Sequence, residues 1–273
     1  MRVWINGNIL DDVSAPALTV DDHGFTVGDG VFEAVKVVDG TPFALTRHLD
    51  RLARSAAGLG LPSPDLEQIR RAVAEVTEGV SGTGRLRITV TAGRAPMGSG
   101  RSEGHPTVVV AYGELAPYPE ATEIVTVPWP RNERGATVGL KTTSYAENVI
   151  ALSHAAAAGA GEAIFANTAG DLCEGTGSNI FYVVDGELRT PTLSSGCLAG
   201  VTRALVIEWS GAVEVDAPVQ EVRERATEVF LASTTRDVQP VRRWDDRSFE
   251  APGPLTRAAA QDWAANERAH CDP

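Results

Sequence analysis

The chain has 273 residues, of which 43% are hydrophobic and 22% charged, and a formal net charge of −12 at pH 7. That length suits one large or two modest domains with enough core to fold without disulfides, and the acidic balance argues against binding to nucleic-acid backbones. No run approaches the ~18 apolar residues of a membrane helix, MRVWINGNILDD carries no visible signal peptide, and Cys173, Cys197 and Cys271 are irregularly spaced. The cysteine pattern indicates a reducing cytoplasm rather than a disulfide framework, and no Cys or His pair has zinc-site spacing.

In chain order, VWING and ILDD predict a hairpin around Asn6-Gly7. GDGVFEAVKVVDGTPFAL predicts two strands across Asp39-Gly40. A helix follows in TRHLDRLARSAAGLGL, with apolar Leu49, Leu52, Ala56 and Leu59 at helical spacing and Gly58 and Gly60 to end it. SPDLEQIRRAVAEVTEGV predicts a second amphipathic helix, with Ser63 or Asp65 able to cap it. RLRITVTAG and HPTVVVAYGEL read as strands, and GRAPMGSGRSEG between them as a mobile, glycine-rich loop. These pieces make an α+β domain over 1–115, followed by a proline-rich linker at 116–121 and a second domain over 122–273.

The second half opens on Lys141 and a helix. GEAIFANTAGDLCEGTGSNIFYVVDGELRTPT predicts three strands with turns at Thr168–Gly170 and Asp185-Gly186. GVTRALVIEWSG reads as a helix and VEVDAPVQ as a strand. VRERATEVFLASTTRDVQPVRRW reads as a helix, a strand and a polar turn, and PLTRAAAQDWAANERA as a terminal helix.

Lysine is the compositional oddity. The 24 basic residues include only Lys36 and Lys141, the rest being arginines. Unlike a guanidinium, a lysine amine can lose its proton and attack a carbonyl. Lys36 alternates within a strand and reads as a solvated position. Lys141 stands between an apolar run and a helix, where small and hydroxyl residues suit a pocket floor. Glu174, in LCEGTGSNIF, suits either an exposed turn or a carboxylate that keeps a pyridine nitrogen protonated. Gly200-Val201-Thr202 opens a helix, so its N–H groups and hydroxyl can bind an anion or simply begin the helix. Ser233, Thr234 and Thr235 end an apolar strand and suit a phosphate or a polar turn. Arg51 in HLDRL is a phosphate clamp or a surface charge.

Taken together, GDGVFEAVKVVDG, HLDRL, the lysine in KTTSYAENV, EGTGSNIF, LAGVTR and ASTTRDVQPV resemble, in this order and over nearly the whole chain, the motifs of class IV (fold type IV) pyridoxal-phosphate enzymes. That family includes branched-chain and D-amino acid aminotransferases, aminodeoxychorismate lyases and R-selective amine transaminases. The resemblance implies a two-domain α+β fold, with a small N-terminal α/β domain and a larger domain built on a mostly antiparallel, barrel-like core. It implies pyridoxal 5'-phosphate held between the domains, and a homodimer whose partner loop completes the pocket. By the same resemblance Lys141 is the Schiff-base lysine and general acid/base, and Glu174 pairs with the pyridine nitrogen. Arg51, Val201, Thr202, Ser233 and Thr234 hold the phosphate, and Tyr145 contacts the phenolic oxygen.

The N-terminal run is most similar to D-amino acid aminotransferases. Those enzymes carry a Tyr in GDGVYE and an Arg-x-His carboxylate trap, where this chain has Phe32, Met97 and Ser99. Arg87, Arg94, Arg101 and Arg236 are the candidate replacements, with Thr235 beside the last. The implied reaction moves an amino group between a D-amino acid, or an R-primary amine, and a 2-keto acid by a ping-pong mechanism. Aminodeoxychorismate lyase is the alternative suggested by KTTSYAENV, then a branched-chain L-amino acid aminotransferase, then a non-enzymatic cofactor-binding protein.

Overall fold

A computed structural model describes residues 1–273, which divide into two compact units. Unit 1 comprises Met1–Pro117, Leu140–Tyr145 and Cys271–Pro273, and unit 2 comprises Tyr118–Gly139 and Ala146–His270.

Unit 1 contains β1 (Arg2–Ile5), β2 (Asn8–Ile9), α1 (His23–Thr26), β3 (Gly30–Val38), β4 (Thr41–Pro42), α2 (Leu45–Leu59), α3 (Leu66–Thr77), β5 (Thr83–Thr91) and β6 (Thr107–Glu114). Its strands form one sheet in the order β2-β1-β6-β5-β3-β4, antiparallel throughout. Alternation along the strands sorts the side chains between two faces. Val31, Val35, Val37, Leu86, Ile88, Val90, Val108 and Val110 form a core with Leu49 and Leu52 of α2 and Ile69, Val73 and Val76 of α3. Asp65 caps α3, its side chain accepting from Gln68 N, one of the two caps expected from the sequence.

The opposite face of β3 carries Phe32, Ala34 and Lys36, which pair in register with Thr89, Arg87 and Arg85 of β5. Lys36 departs from expectation here. It lies on the predicted face, but it is buried rather than solvated. The chain folds back through β4 at this end of β3 and extends the sheet there, Phe43 N donating to Lys36 O.

The segment around Lys141 also departs from the expected boundary, which placed it in the second domain. Its backbone adds to β3: Phe32 N donates to Lys141 O at 2.9 Å, Thr143 N to Gly30 O at 2.8 Å, and Val31 bridges Thr142. Lys141 N donates to Ser55 Oγ of α2 at 3.2 Å. A Cβ on Gly58 would meet the end of the Leu140 side chain, which would have to turn aside, so glycine eases this close approach to α2.

Unit 2 contains β7 (Thr122–Thr126), α4 (Ala146–Ala157), β8 (Glu162–Ala166), β9 (Leu172–Gly175), β10 (Asn179–Val184), β11 (Glu187–Thr190), α5 (Val201–Ser210), β12 (Val213–Glu214), α6 (Val219–Arg225), β13 (Glu228–Ser233), β14 (Asp237–Trp244), β15 (Arg247–Ser248) and α7 (Pro254–Ala269). Nine strands form a mixed sheet in the order β12-β11-β10-β13-β14-β7-β8-β9, with β15 on β14. The β10–β11, β10–β13, β13–β14 and β8–β9 pairs are antiparallel, while β7 lies parallel to both β14 and β8. The turn after β9 returns the end of this path to β10, Gly175 N donating to Ser178 O, which gives the curled core expected of this half. Where three strands were expected between Glu162 and Thr190 there are four, because Gly175–Ser178 breaks one run into β9 and β10 with different partners. VEVDAPVQ yields only the two-residue β12, since Pro218 already caps α6.

Candidate active site

In unit 1, Lys141, Arg87 and Tyr145 gather around Phe32, whereas Arg51 is bound to Glu33, which alternation places on the other face of β3. The Lys141 amine lies 4.5 Å from the Phe32 ring centroid, and the Arg87 guanidinium carbon 3.9 Å from it. Tyr145 packs edge-on against the same ring at 5.3 Å. One aromatic residue therefore gathers the imine-forming candidate, a guanidinium and a phenol. Phe32 supplies a negative π face to both cations and no hydroxyl of its own.

Arg51 is not the surface charge that its helical position alone allows. It is buried, and its Nε and Nη2 donate to the two oxygens of Glu33 at 2.8 and 2.7 Å. His48, one turn earlier on α2, adds an Nδ1 contact to Glu33 Oε2 at 2.7 Å. Burial alone would raise the Glu33 pKa, but the Arg51 charge and hydrogen bonds, with help from His48, hold it down at about 2. Desolvation outweighs Glu33 at His48 and lowers its pKa, so a neutral imidazole donates here. Glu33 and His48 belong to no expected site set. The sequence signal for Glu33 is a carboxylate at an inward position between Val31 and Val35; for His48 it is the i, i+3 spacing to Arg51.

The expected substrate segment, 93–104, is irregular. Met97 is 90% exposed and Ser99 is exposed too. Its arginines are engaged in other roles than carboxylate capture. Arg94 forms a bidentate pair with Asp21, Nε donating to Oδ1 and Nη2 to Oδ2. Arg101 gives Nε and Nη2 to Asp29 at 2.7 and 2.6 Å, and also donates to Leu59 O and Gly60 O. Asp29 in turn meets His23 Nδ1 at 3.0 Å, while His23 Nε2 faces Gly98 O at 2.8 Å.

In unit 2, Glu174 on β9 accepts from Leu198 N at 2.9 Å through Oε2, and its Oε1 lies 3.3 Å from Arg131 Nε. The following turn is held by Glu162, which accepts from Thr176 N, Thr176 Oγ1 and Ser178 Oγ, and by Asn148, which donates to Thr176 O. Val201 and Thr202 are buried at the start of α5. Gly200 caps that helix without any side-chain bond, so its first N–H groups are oriented for an anion. A Cβ on Gly200 would collide with the Asn179 side-chain oxygen. Ser233 ends β13, and Thr234, Thr235 and Arg236 form the turn into β14. Arg236 donates to Gln239 Oε1 and Gly161 O and lies 3.6 Å from Glu162, a supporting role within unit 2. Cys173, beside Glu174, is fully buried, and desolvation raises its pKa and pushes that of Cys197 up to about 11. Both thiols stay protonated and serve as packing groups.

The donor set fits a phosphate-bearing pyridine aldehyde. Unit 1 offers an amine beside an aromatic ring; unit 2 offers an oriented carboxylate and a helix N-terminus without its own cap. Comparison with known proteins agrees. The family model described as amino-transferase class IV matches residues 30–244. A putative branched-chain-amino-acid aminotransferase of Methanocaldococcus jannaschii is 32% identical, over 90% of this chain and 89% of that one. A bifunctional aminodeoxychorismate lyase / D-amino acid transaminase of Mycobacterium tuberculosis is 32% identical over 82% of both chains. Among solved structures, a hypothetical aminotransferase from Mycobacterium tuberculosis in its PLP-bound form superposes with a TM-score of 0.86 at 28% identity, over 97% of this chain and 98% of that one. The motifs read along the sequence and the match over most of its length thus converge: the chain belongs to the class IV aminotransferases and is an enzyme of the fold type IV group.

Proposed function

We propose that this class IV aminotransferase moves amino groups between D-amino acids and 2-keto acids, with R-primary amines as further donors, and that Arg87 receives the substrate carboxylate. The observation that carries the reading is the state of the four candidate arginines. Arg94, Arg101 and Arg236 already donate to carboxylates, carbonyls or amides, whereas Arg87 makes only the stacking contact with Phe32, the ring that also meets the Lys141 amine. A planar guanidinium there suits bidentate carboxylate binding. The D-preference rests on the similarity of GDGVFEAVKVVDG to D-amino acid aminotransferases and on the D-amino acid transaminase activity named for the Mycobacterium tuberculosis relative.

Class IV aminotransferases bind pyridoxal phosphate, which when bound supplies an aldehyde for imine formation and a ring that withdraws electrons from the substrate carbon. Around it, Lys141 Nζ would hold the aldehyde carbon and, when not so engaged, would take and return the substrate Cα proton. Glu174 holds the proton on the ring nitrogen. Arg51, the N–H groups of Val201 and Thr202, the Thr202 hydroxyl, and the hydroxyls of Ser233 and Thr234 receive the phosphate, and Tyr145 the phenolic oxygen. A second copy of the chain completes the enzyme as a homodimer, and exposed apolar side chains such as Val20, Phe25, Val149 and Ile150 supply surface for that contact.

The test is the cofactor absorbance of the purified enzyme mixed with D- and L-amino acids and with R- and S-amines. D-alanine or D-glutamate bleaches the band. Arg87→Met weakens kcat/KM for D-amino acids by roughly 10- to 100-fold, the worth of a charged hydrogen bond, and spares R-amines, which have no carboxylate. Bleaching by L-branched substrates alone overturns the reading, as does turnover of aminodeoxychorismate to 4-aminobenzoate without transamination.

A further inference from the structure

Glu174 is not placed by its own strand alone. In the β8–β9 ladder it is the register partner of Phe165, and residues directly opposite in an antiparallel pair project to the same face. The Arg131 guanidinium lies over the Phe165 ring at 4.1 Å, and this stacking brings its Nε to 3.3 Å from Glu174 Oε1. The Arg131 backbone is fixed too, its N–H donating to Ala166 O at 2.7 Å and its chain bridging Asn167. At the other end of the guanidinium, Nη1 meets Glu147 Oε2 at 2.6 Å, at the start of α4. Arg131 is thus braced by a ring, a backbone ladder and a second carboxylate, and its charge stands beside one oxygen of Glu174 as an ion pair, the Nε–H itself making no hydrogen bond. The Leu198 N–H fixes the other oxygen.

We propose that Arg131 is the positioning residue for the ring-nitrogen carboxylate: it holds Glu174 ionised and aims it at the pyridine nitrogen. The inference rests on the assignment of Glu174 to that nitrogen. A partly desolvated carboxylate facing an aromatic ligand loses charge or swings to water unless a cation stands behind it, and an arginine remains charged at every working pH. The planar stack on Phe165 also fixes the guanidinium fork more tightly than a flexible ammonium would.

The test separates this role from general support of the fold by using two ligands that differ in one atom. Pyridoxal phosphate and its 1-deaza analogue, with carbon in place of the ring nitrogen, are titrated into the cofactor-stripped full chain, and the quenching of tryptophan fluorescence gives each affinity. Glu174→Gln is measured first and weakens pyridoxal phosphate but not the deaza analogue. Arg131→Met then shows the same selective loss, about tenfold, in the range of contacting-pair couplings, and Arg131→Lys recovers part of it. Arg131→Gln repeats the measurement should the methionine variant fail to fold. Equal weakening of both ligands in the Arg131 variants reduces the residue to a structural prop and overturns the proposal, as does full retention of the nitrogen preference in Arg131→Met when Glu174→Gln has lost it. If Glu174→Gln itself leaves the preference intact, the Glu174 assignment falls and the Arg131 role falls with it.

Discussion

Glu33 is the most constrained ionisable residue of unit 1. It is fully buried, and two nitrogens of Arg51 and one of His48 converge on its carboxylate. Removing its charge would leave the Arg51 guanidinium in a dry site, and breaking such a pair on one side costs about 3–5 kcal/mol. Glu33→Gln is therefore expected to lower unfolding free energy by roughly that amount, read from urea denaturation; a change within error of zero would show that water reaches the pair. The pH dependence has a definite sign. The folded pKa is depressed from 4.5 to about 2, so the stabilisation is present above about 4.5 and is lost as pH falls toward 2. Residue types and motifs carried the candidate site in the sequence. Lysine scarcity left two candidates, Lys36 and Lys141, strand context set Lys36 aside, and the roles proposed for Lys141, Glu174 and Thr202 came from the family motifs around them. Arg131 carried no such mark, because its role depends on the pairing of Phe165 with Glu174, and register across a bulged ladder cannot be counted from one strand.

At the scale of elements, strands and helices with strong periodicity were legible from the sequence, and their interruptions were not. α2, α3, α5 and α7 lie where apolar spacing predicts them, whereas the break at Gly175–Ser178 and the truncation of β12 are set by partner strands and by Pro218. The glycine-rich 93–104 segment reads as a mobile loop in the sequence, and the structure shows how it is tied. His23 is buried with an acceptor at each ring nitrogen, Asp29 and Gly98 O. Only an imidazolium can donate to both. The Asp29 hydrogen bond, opposed by desolvation, raises the His23 pKa, with Arg101 pulling the other way. Asp22, one residue earlier, accepts instead from Gly24 N, Thr91 Oγ1 and Thr107 Oγ1, and Arg94 pairs with Asp21, so Asp29 and Arg101 are the charges that bear directly on the ring. A raised pKa means that the double bond is intact below 6.5 and lapses as pH rises through the folded value. Nδ1 keeps its proton for Asp29, and the Gly98 carbonyl is released. Amide exchange at Gly98–Arg101, corrected for its intrinsic pH dependence, should then speed up with pH in the wild type and stay flat in His23→Gln. Identical pH profiles in the two proteins would rule the latch out.

At the scale of the whole molecule, the chain does not build its units one after the other. Leu140–Tyr145 and Cys271–Pro273 both belong to the unit formed by the first 117 residues. No composition shift marks these returns, since each is made by hydrogen bonds to a partner far away in sequence. The second return has a measurable energetic role. α2, which carries His48 and Arg51, begins at Ala44 in a left-handed conformation with no side-chain cap of its own. The missing cap is supplied from 226 positions away: Asp272 accepts from Thr46 N at 2.9 Å and from Thr46 Oγ1 at 2.6 Å. Ala44 N donates to Cys271 O, and Arg47 Nε to Pro273 O. A carboxylate there both satisfies an open N–H and opposes the positive end of the helix dipole. Asp272→Ala should cost about 1 kcal/mol of stability, and Asp272→Asn, which keeps the accepting oxygen and loses the charge, should recover part of it. Because α2 also positions Arg51, the alanine variant should bind pyridoxal phosphate more weakly at a temperature where it is still folded. Unchanged melting together with unchanged cofactor affinity would show that α2 holds its first turn without the tail. A loss of stability with unchanged affinity would confine the tail's effect to the helix end and leave Arg51 fixed by Glu33 alone.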